Sequence, residues 1–142
     1  VILTDTVGFI RDLPEDLLVA FQTTLQELKD ADLLLHVVDA NALDPDRQIH
    51  AVESILVQLQ LDTIPRMLIF NKCDLIPQDQ AAILCERYHA IGISATHVNT
   101  VIQVREELAK TLNSLERAGE LGYMPGQGPV ADVRPFHSGV KV

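Results

Sequence analysis

Basic side chains are scarce in this sequence: 11 Lys and Arg stand against 20 Asp and Glu, for a net charge of −9. That balance disfavours a broad phosphate-backbone contact, and no direct nucleic-acid binding is expected of this segment, because such affinity comes mainly from cations that displace counterions along the backbone. It leaves room for a single nucleotide held by local donors, since a site can be locally positive on an acidic surface. Long apolar runs are also missing, and none approaches the roughly 20 residues of a membrane span. The two cysteines, Cys73 and Cys85, are too few for a disulfide framework and are expected to be free thiols in a reducing cytoplasm. No internal repeat is present. The chain starts at Val1 with neither a Met nor a basic flank, so it reads neither as a signal peptide nor as a natural N-terminus.

What is present is a core. The hydrophobic fraction of 47% with 22% charge over 142 residues suits one globular domain. Apolar, β-prone runs occur at 1–5 (VILTD), 32–40 (DLLLHVVDA) and 66–72 (RMLIFNK), with a weaker one at 91–95 (IGISA). They are continuous, not alternating, as parallel strands covered on both faces should be.

Helical periodicity fills the gaps. Over 13–30, Leu17, Leu18, Phe21, Leu25 and Leu28 recur at three and four, with Asp12 and Glu15 placed as a capping pair. Asp44 caps and Pro45 opens a second helix that puts Ile49, Val52, Leu56 and Leu59 on one face. A third helix is expected over 78–88. A fourth, from about Thr100, lines up Val101, Val104, Leu108, Leu112 and Leu115. This alternation predicts an α/β fold, a doubly wound and mostly parallel sheet with helices on both faces. A boundary is expected near residue 117, because the segment 118–142 holds five of the seven glycines and three of the seven prolines.

Three short motifs fall at strand ends, where open α/β sheets bind ligands. The most informative is FNKCDLI, in which Asn71, Lys72 and Asp74 follow the third strand. A carboxylate only accepts, through two oxygens. Asp74 can therefore take both donors on one edge of guanine, N1–H and N2–H₂, while adenine offers a lone pair there. The Lys72 stem can lie along the base or ribose, and Asn71 can brace the loop. The second motif is DTVG, Asp5, Thr6, Val7 and Gly8. Asp5 could order a Mg²⁺-bound water, and the Gly8 N–H could approach a γ-phosphate. The third is Ser94-Ala95, where a backbone N–H could meet guanine O6.

In this order the motifs resemble the third, fourth and fifth motifs of a P-loop GTPase. The stretch DTVGFIRDLPEDLLVAFQTTLQE, then ADLLLHVVDA and FNKCD, is similar to the HflX family of translational GTPases over about residues 1–117. The resemblance implies a GTP- and GDP-binding, ribosome-associated GTP hydrolase that uses Mg²⁺, acts on the large subunit and in some members splits stalled ribosomes. It makes Asp5 to Gly8 the switch-II turn, Asn71, Lys72 and Asp74 the guanine-specificity motif, and Ser94-Ala95 the last base contact. Phe9 stands where other P-loop GTPases carry the Gln that orients the attacking water, and a phenyl ring cannot do that. No catalytic residue is therefore identifiable in this sequence.

The family's Gly-rich phosphate loop, G-x-x-x-x-G-K-[ST], does not occur in the 142 residues, nor does the switch-I Thr. The expectation is a partial GTPase domain at 1–117, inactive by itself. Two other readings stay open: a non-catalytic binding module that docks through acidic helices, and a piece of another bacterial P-loop GTPase family. His36, inside an apolar strand, is expected to serve packing; the other histidines show no metal-ligand spacing with the cysteines.

Overall fold

The computed structural model describes residue 3 and residues 26–120. The DTVG turn, most of the helical pattern over 13–30 and the strand expected at 1–5 lie outside the described residues. So does the tail from 121 onward.

Among the described residues three strands form one parallel sheet in sequence order: β1 (Leu34–Asp39), β2 (Arg66–Asn71) and β3 (Ile91–Gly92). Between them run α1 (Pro45–Gln58) and α2 (Gln78–Tyr88), and α3 (Val98–Glu120) follows β3. Pairing of β1 with β2 is continuous from Leu34 opposite Arg66 to Asp39 opposite Asn71.

Side chains alternate across the sheet, and each face is covered. Leu34, Val38, Leu68 and Phe70 point to the side of α1 and α2, where they meet Ile49, Val52, Leu56, Leu84 and Tyr88. Leu35, Ile69 and Ile93 point the other way, toward Val104 and Leu108 of α3. Two-sided burial is why the strands read as unbroken apolar runs. Phe70 and Leu56 have no exposed surface, and Phe70 meets Tyr88 edge-on at 5.7 Å between centroids.

Local signals set the boundaries. Asp44 caps α1, its carboxylate accepting from Arg47 N at 2.9 Å with Pro45 in the first turn. His89, in the left-handed region at φ 47°, closes α2. A short 3-10 turn at Gln26–Asp30 stands where the sequence pattern continues as α-helix, and it seats Leu28 against Leu34 and Leu56.

Three observations refine the sequence reading. The last strand is shorter than the apolar run at 91–95, because Lys72 leaves the extended conformation at φ 63° and gives its N–H to Asn71 Oδ1, so the ladder with β2 stops at Gly92. Two backbone bonds still tie that stretch in, Ile93 N to Phe70 O at 2.7 Å and Cys73 N to Ile93 O at 3.0 Å. Helix α3 begins two residues before Thr100 and runs to Glu120, past the boundary expected near 117. Finally, Val101, expected in the buried stripe, is 43% exposed. Among the described residues the core on that face meets α3 at Val104 and Leu108, and Val98, Val101 and Ile102 ahead of them stay exposed.

Candidate functional site

At the carboxyl ends of β1, β2 and β3 four chain segments are tied together by side chains. Asn71 is the hub. Its Oδ1 accepts from its neighbour's amide, Lys72 N, at 2.8 Å and from Ala95 N at 2.9 Å, 24 positions along the chain. Its carbonyl accepts from Ala40 N at 2.8 Å, which extends the β1–β2 ladder by one bond. Satisfying two N–H groups with one amide oxygen fixes the turn that follows β2. Lys72 there takes a left-handed conformation, φ 63° and ψ 33°, and the chain enters a 3-10 turn over Cys73–Leu75 closed by Leu75 N to Lys72 O at 3.0 Å.

The turn leaves Asp74 exposed at the rim, where a ligand edge could reach both carboxylate oxygens. A hydrogen bond from the Ser94 side chain, with smaller help from a backbone N–H and from His97, holds its carboxyl below the usual range. Ser94 Oγ also lies 2.8 Å from Thr96 Oγ1.

Ser94 is 4% exposed and anchored through its backbone. Its N–H donates to Thr100 Oγ1 at 3.1 Å, and its carbonyl accepts from Thr100 Oγ1 at 2.7 Å and from His97 N at 2.8 Å. The first turn of α3 therefore holds the 94–97 loop. Thr100 escaped the sequence reading, which saw it only as a helix start.

A second missed residue is Asp39, the last of β1 and the register partner of Asn71. Its Oδ2 accepts from Lys72 Nζ at 2.6 Å and its Oδ1 from Asn41 N at 2.9 Å. The Lys72 ammonium lowers its pKa, helped by the Asn41 amide against some desolvation. The available signal was an acid that closes an apolar strand at the same sheet edge as the base motif.

Beneath the loop the packing is tight. A Cβ on Gly92 would stand 2.8 Å from Cys85 Sγ and 3.2 Å from Cys73 Sγ. Burial raises both thiols, and Cys73 Sγ donates to Phe70 O at 3.3 Å, which suits small packing residues better than nucleophiles. Among the described residues no group of three His, Cys, Asp or Glu side chains could hold a metal ion, and no helix is long and apolar enough to cross a membrane. Asp5, Thr6, Val7 and Gly8 fall outside the described residues, so Asn71, Lys72, Asp74, Ser94 and Ala95 are the expected site residues that the structure brings together.

A parallel α/β sheet with this loop at its carboxyl edge defines one part of a P-loop GTPase domain. The family model for the 50S ribosome-binding GTPase matches residues 1–72. Several curated relatives are each a "GTPase HflX". That of Caldanaerobacter subterraneus subsp. tengcongensis is 37% identical over 148 aligned positions, covering 100% of this chain and 35% of the relative. The Escherichia coli K12 protein is 48% identical over 75, covering 53% of this chain and 18% of its own length. The Magnetococcus marinus protein is 36% identical over 121, covering 83% and 26%. The chain belongs to the HflX family of 50S ribosome-binding GTPases, and it spans about a third of the first of these relatives.

Proposed function

We propose that this chain supplies the guanine-reading part of the nucleotide site of a ribosome-associated GTP hydrolase that works in the cytoplasm on the large ribosomal subunit, in the splitting or rescue of stalled ribosomes. One observation carries the reading. Asn71 Oδ1 locks Lys72 N and Ala95 N together, so that Asp74 and the 94–95 loop face the same rim of the sheet.

In this reading Asp74 accepts from guanine N1–H and N2–H₂, and the Lys72 stem lies along the base. The Ala95 N–H already serves Asn71, so guanine O6 would share it in a three-centre bond. Mg²⁺, which the family implies, would neutralise phosphate charge. Asp5 would hold it through water. With no G-x-x-x-x-G-K-[ST] in the 142 residues, this segment alone would leave the triphosphate in water and bind GTP very weakly, with no turnover.

The test is Asp74→Asn in the full-length gene product, with GTP, XTP and ATP competed against a fluorescent guanine nucleotide. An amide turns one acceptor into a donor, which opposes the guanine N2 amino group and suits the xanthine carbonyl. Unpaired groups at the base edge should cost GTP at least about tenfold in affinity. A variant that keeps its GTP affinity and gains nothing for XTP would remove Asp74 from the base.

A further inference from the structure

We infer that Asp39 is a positioning residue for guanine nucleotide: it acts through Lys72, fixing that side chain as a preformed platform before the nucleotide arrives. The inference rests on the base-reading assignment above and adds a residue from a different strand to it. The geometry is specific. Asp39 and Asn71 are register partners at the ends of neighbouring strands, so the two residues that control Lys72 stand side by side. Asn71 fixes the Lys72 backbone through its amide, and Asp39 fixes the far end of the side chain through Nζ at 2.6 Å.

A lysine side chain is ordinarily the most freely rotating in a protein, and ordering it on binding opposes association. Here Asn71 holds the backbone end and Asp39 the ammonium end, while the side chain keeps 53% of its surface exposed. Its methylene stem is thus an apolar strip presented to solvent at the rim beside Asp74. Asp39 is in turn oriented by Asn41 N on its other oxygen, so the carboxylate cannot swing away with the lysine. The left-handed backbone of Lys72 has the same sense: a non-glycine residue is kept at φ 63° because the direction of its side chain matters to the site.

The experiment uses the full-length protein and the dissociation rate and Kd of a fluorescent GDP analogue. Asp39→Asn keeps an acceptor for Asn41 N and removes the charge that holds Lys72. It should weaken GDP by about three- to fivefold, the scale of a half-exposed ion pair, mainly by faster release. Asp39→Glu, which restores the charge on a longer arm, should recover part of the loss. In a Lys72→Met background the same Asp39→Asn change should have no further effect, because the group through which it acts is gone. Base preference, read as GDP against XDP, should stay unchanged in every Asp39 variant.

Equal losses from Asp39→Asn with and without Lys72 would show that Asp39 acts on the fold and not through the lysine, and would overturn the inference. So would an unchanged GDP affinity in Asp39→Asn. The Asp74→Asn switch toward xanthine, measured alongside, separates the two claims. If it occurs while Asp39 is silent, only the platform falls; if wild type shows no guanine preference, the base-reading assignment falls and the platform with it.

Discussion

At the amino end of β2 the Arg66 side chain is buried to 3% exposure, donates to Asp62 O at 3.1 Å, and leaves its Nε without a partner among the described residues. At the carboxyl end, six residues on, Lys72 is exposed and the turn reaches two other segments through side chains: Lys72 Nζ donates to Asp39 at the end of β1, and Asn71 Oδ1 accepts from Ala95 N beyond β3. One strand thus carries a basic residue at each end, with opposite treatment. Burial depresses the Arg66 guanidinium, with Glu53 and Asp62 opposing that effect, so the amino end tolerates an electrostatic cost in order to close the core. The carboxyl end buries little and aligns much. An ordered polar rim on a dry sheet is what a ligand site needs, and it arises because the parallel strands all end on the same side.

The largest expected effect comes from breaking the hub of that rim. Asn71→Ala removes the acceptor for both Lys72 N and Ala95 N. Two lost hydrogen bonds at about 1 kcal/mol each should lower stability by about 2 kcal/mol, read as a shift in the urea midpoint. Because the loop loses its link to the 94–97 segment and must be reordered when nucleotide binds, GDP affinity should fall as well, by roughly tenfold for a reordering cost of about 1.4 kcal/mol. Retained affinity would mean that the rim holds its shape by backbone bonds alone.

A smaller effect should come from below the loop. Gly92→Ala places a methyl group 2.8 Å from Cys85 Sγ and 3.2 Å from Cys73 Sγ, and Cys73 lies between Lys72 and Asp74. Overpacking of this kind costs about 1–3 kcal/mol. The strain should be passed to the base loop, so that nucleotide release quickens along with the loss of stability. Adding Cys85→Ala removes the nearer sulfur and should restore most of both. Destabilisation without any change in release would separate the core from the rim.

Much of this arrangement was legible in the sequence. The Asp44–Pro45 start of α1, the span of α2 and the strand cores follow from caps and periodicity, which are local signals. The turn after β2 was legible too, because Asn71, Lys72 and Asp74 fall within four consecutive residues at the end of an apolar run. The Asp39–Lys72 pair was not, since its partners are 33 positions apart and only the strand register sets Asp39 opposite Asn71. Thr100 was hidden for a similar reason: its hydroxyl serves Ser94, six residues back, through a loop whose shape no propensity specifies. The stripe on α3 was over-read at Val101 because periodicity marks a face, whereas what packs against it decides how far that face is covered.

The smallest effect is expected at the amino end, from Arg66→Met. The side chain loses its bond to Asp62 O and its attraction to Glu53 and Asp62, all of which favour arginine. Against this, methionine removes a desolvated charge and an orphaned Nε, and its unbranched chain can follow the same channel. Replacing a buried ionic group by an apolar one of similar volume is often neutral or stabilising. The expected change in unfolding free energy is within about 1 kcal/mol by urea titration, with GDP affinity unchanged within about twofold, the scatter of distant independent sites. Arg66→Ala supplies the control, because it empties the channel and should cost clearly more. A loss above about 3 kcal/mol in Arg66→Met itself, the scale of a broken buried pair, would show that Glu53 and Asp62 depend on the guanidinium. The amino end would then be as deliberately wired as the carboxyl end, and the contrast between them would fail.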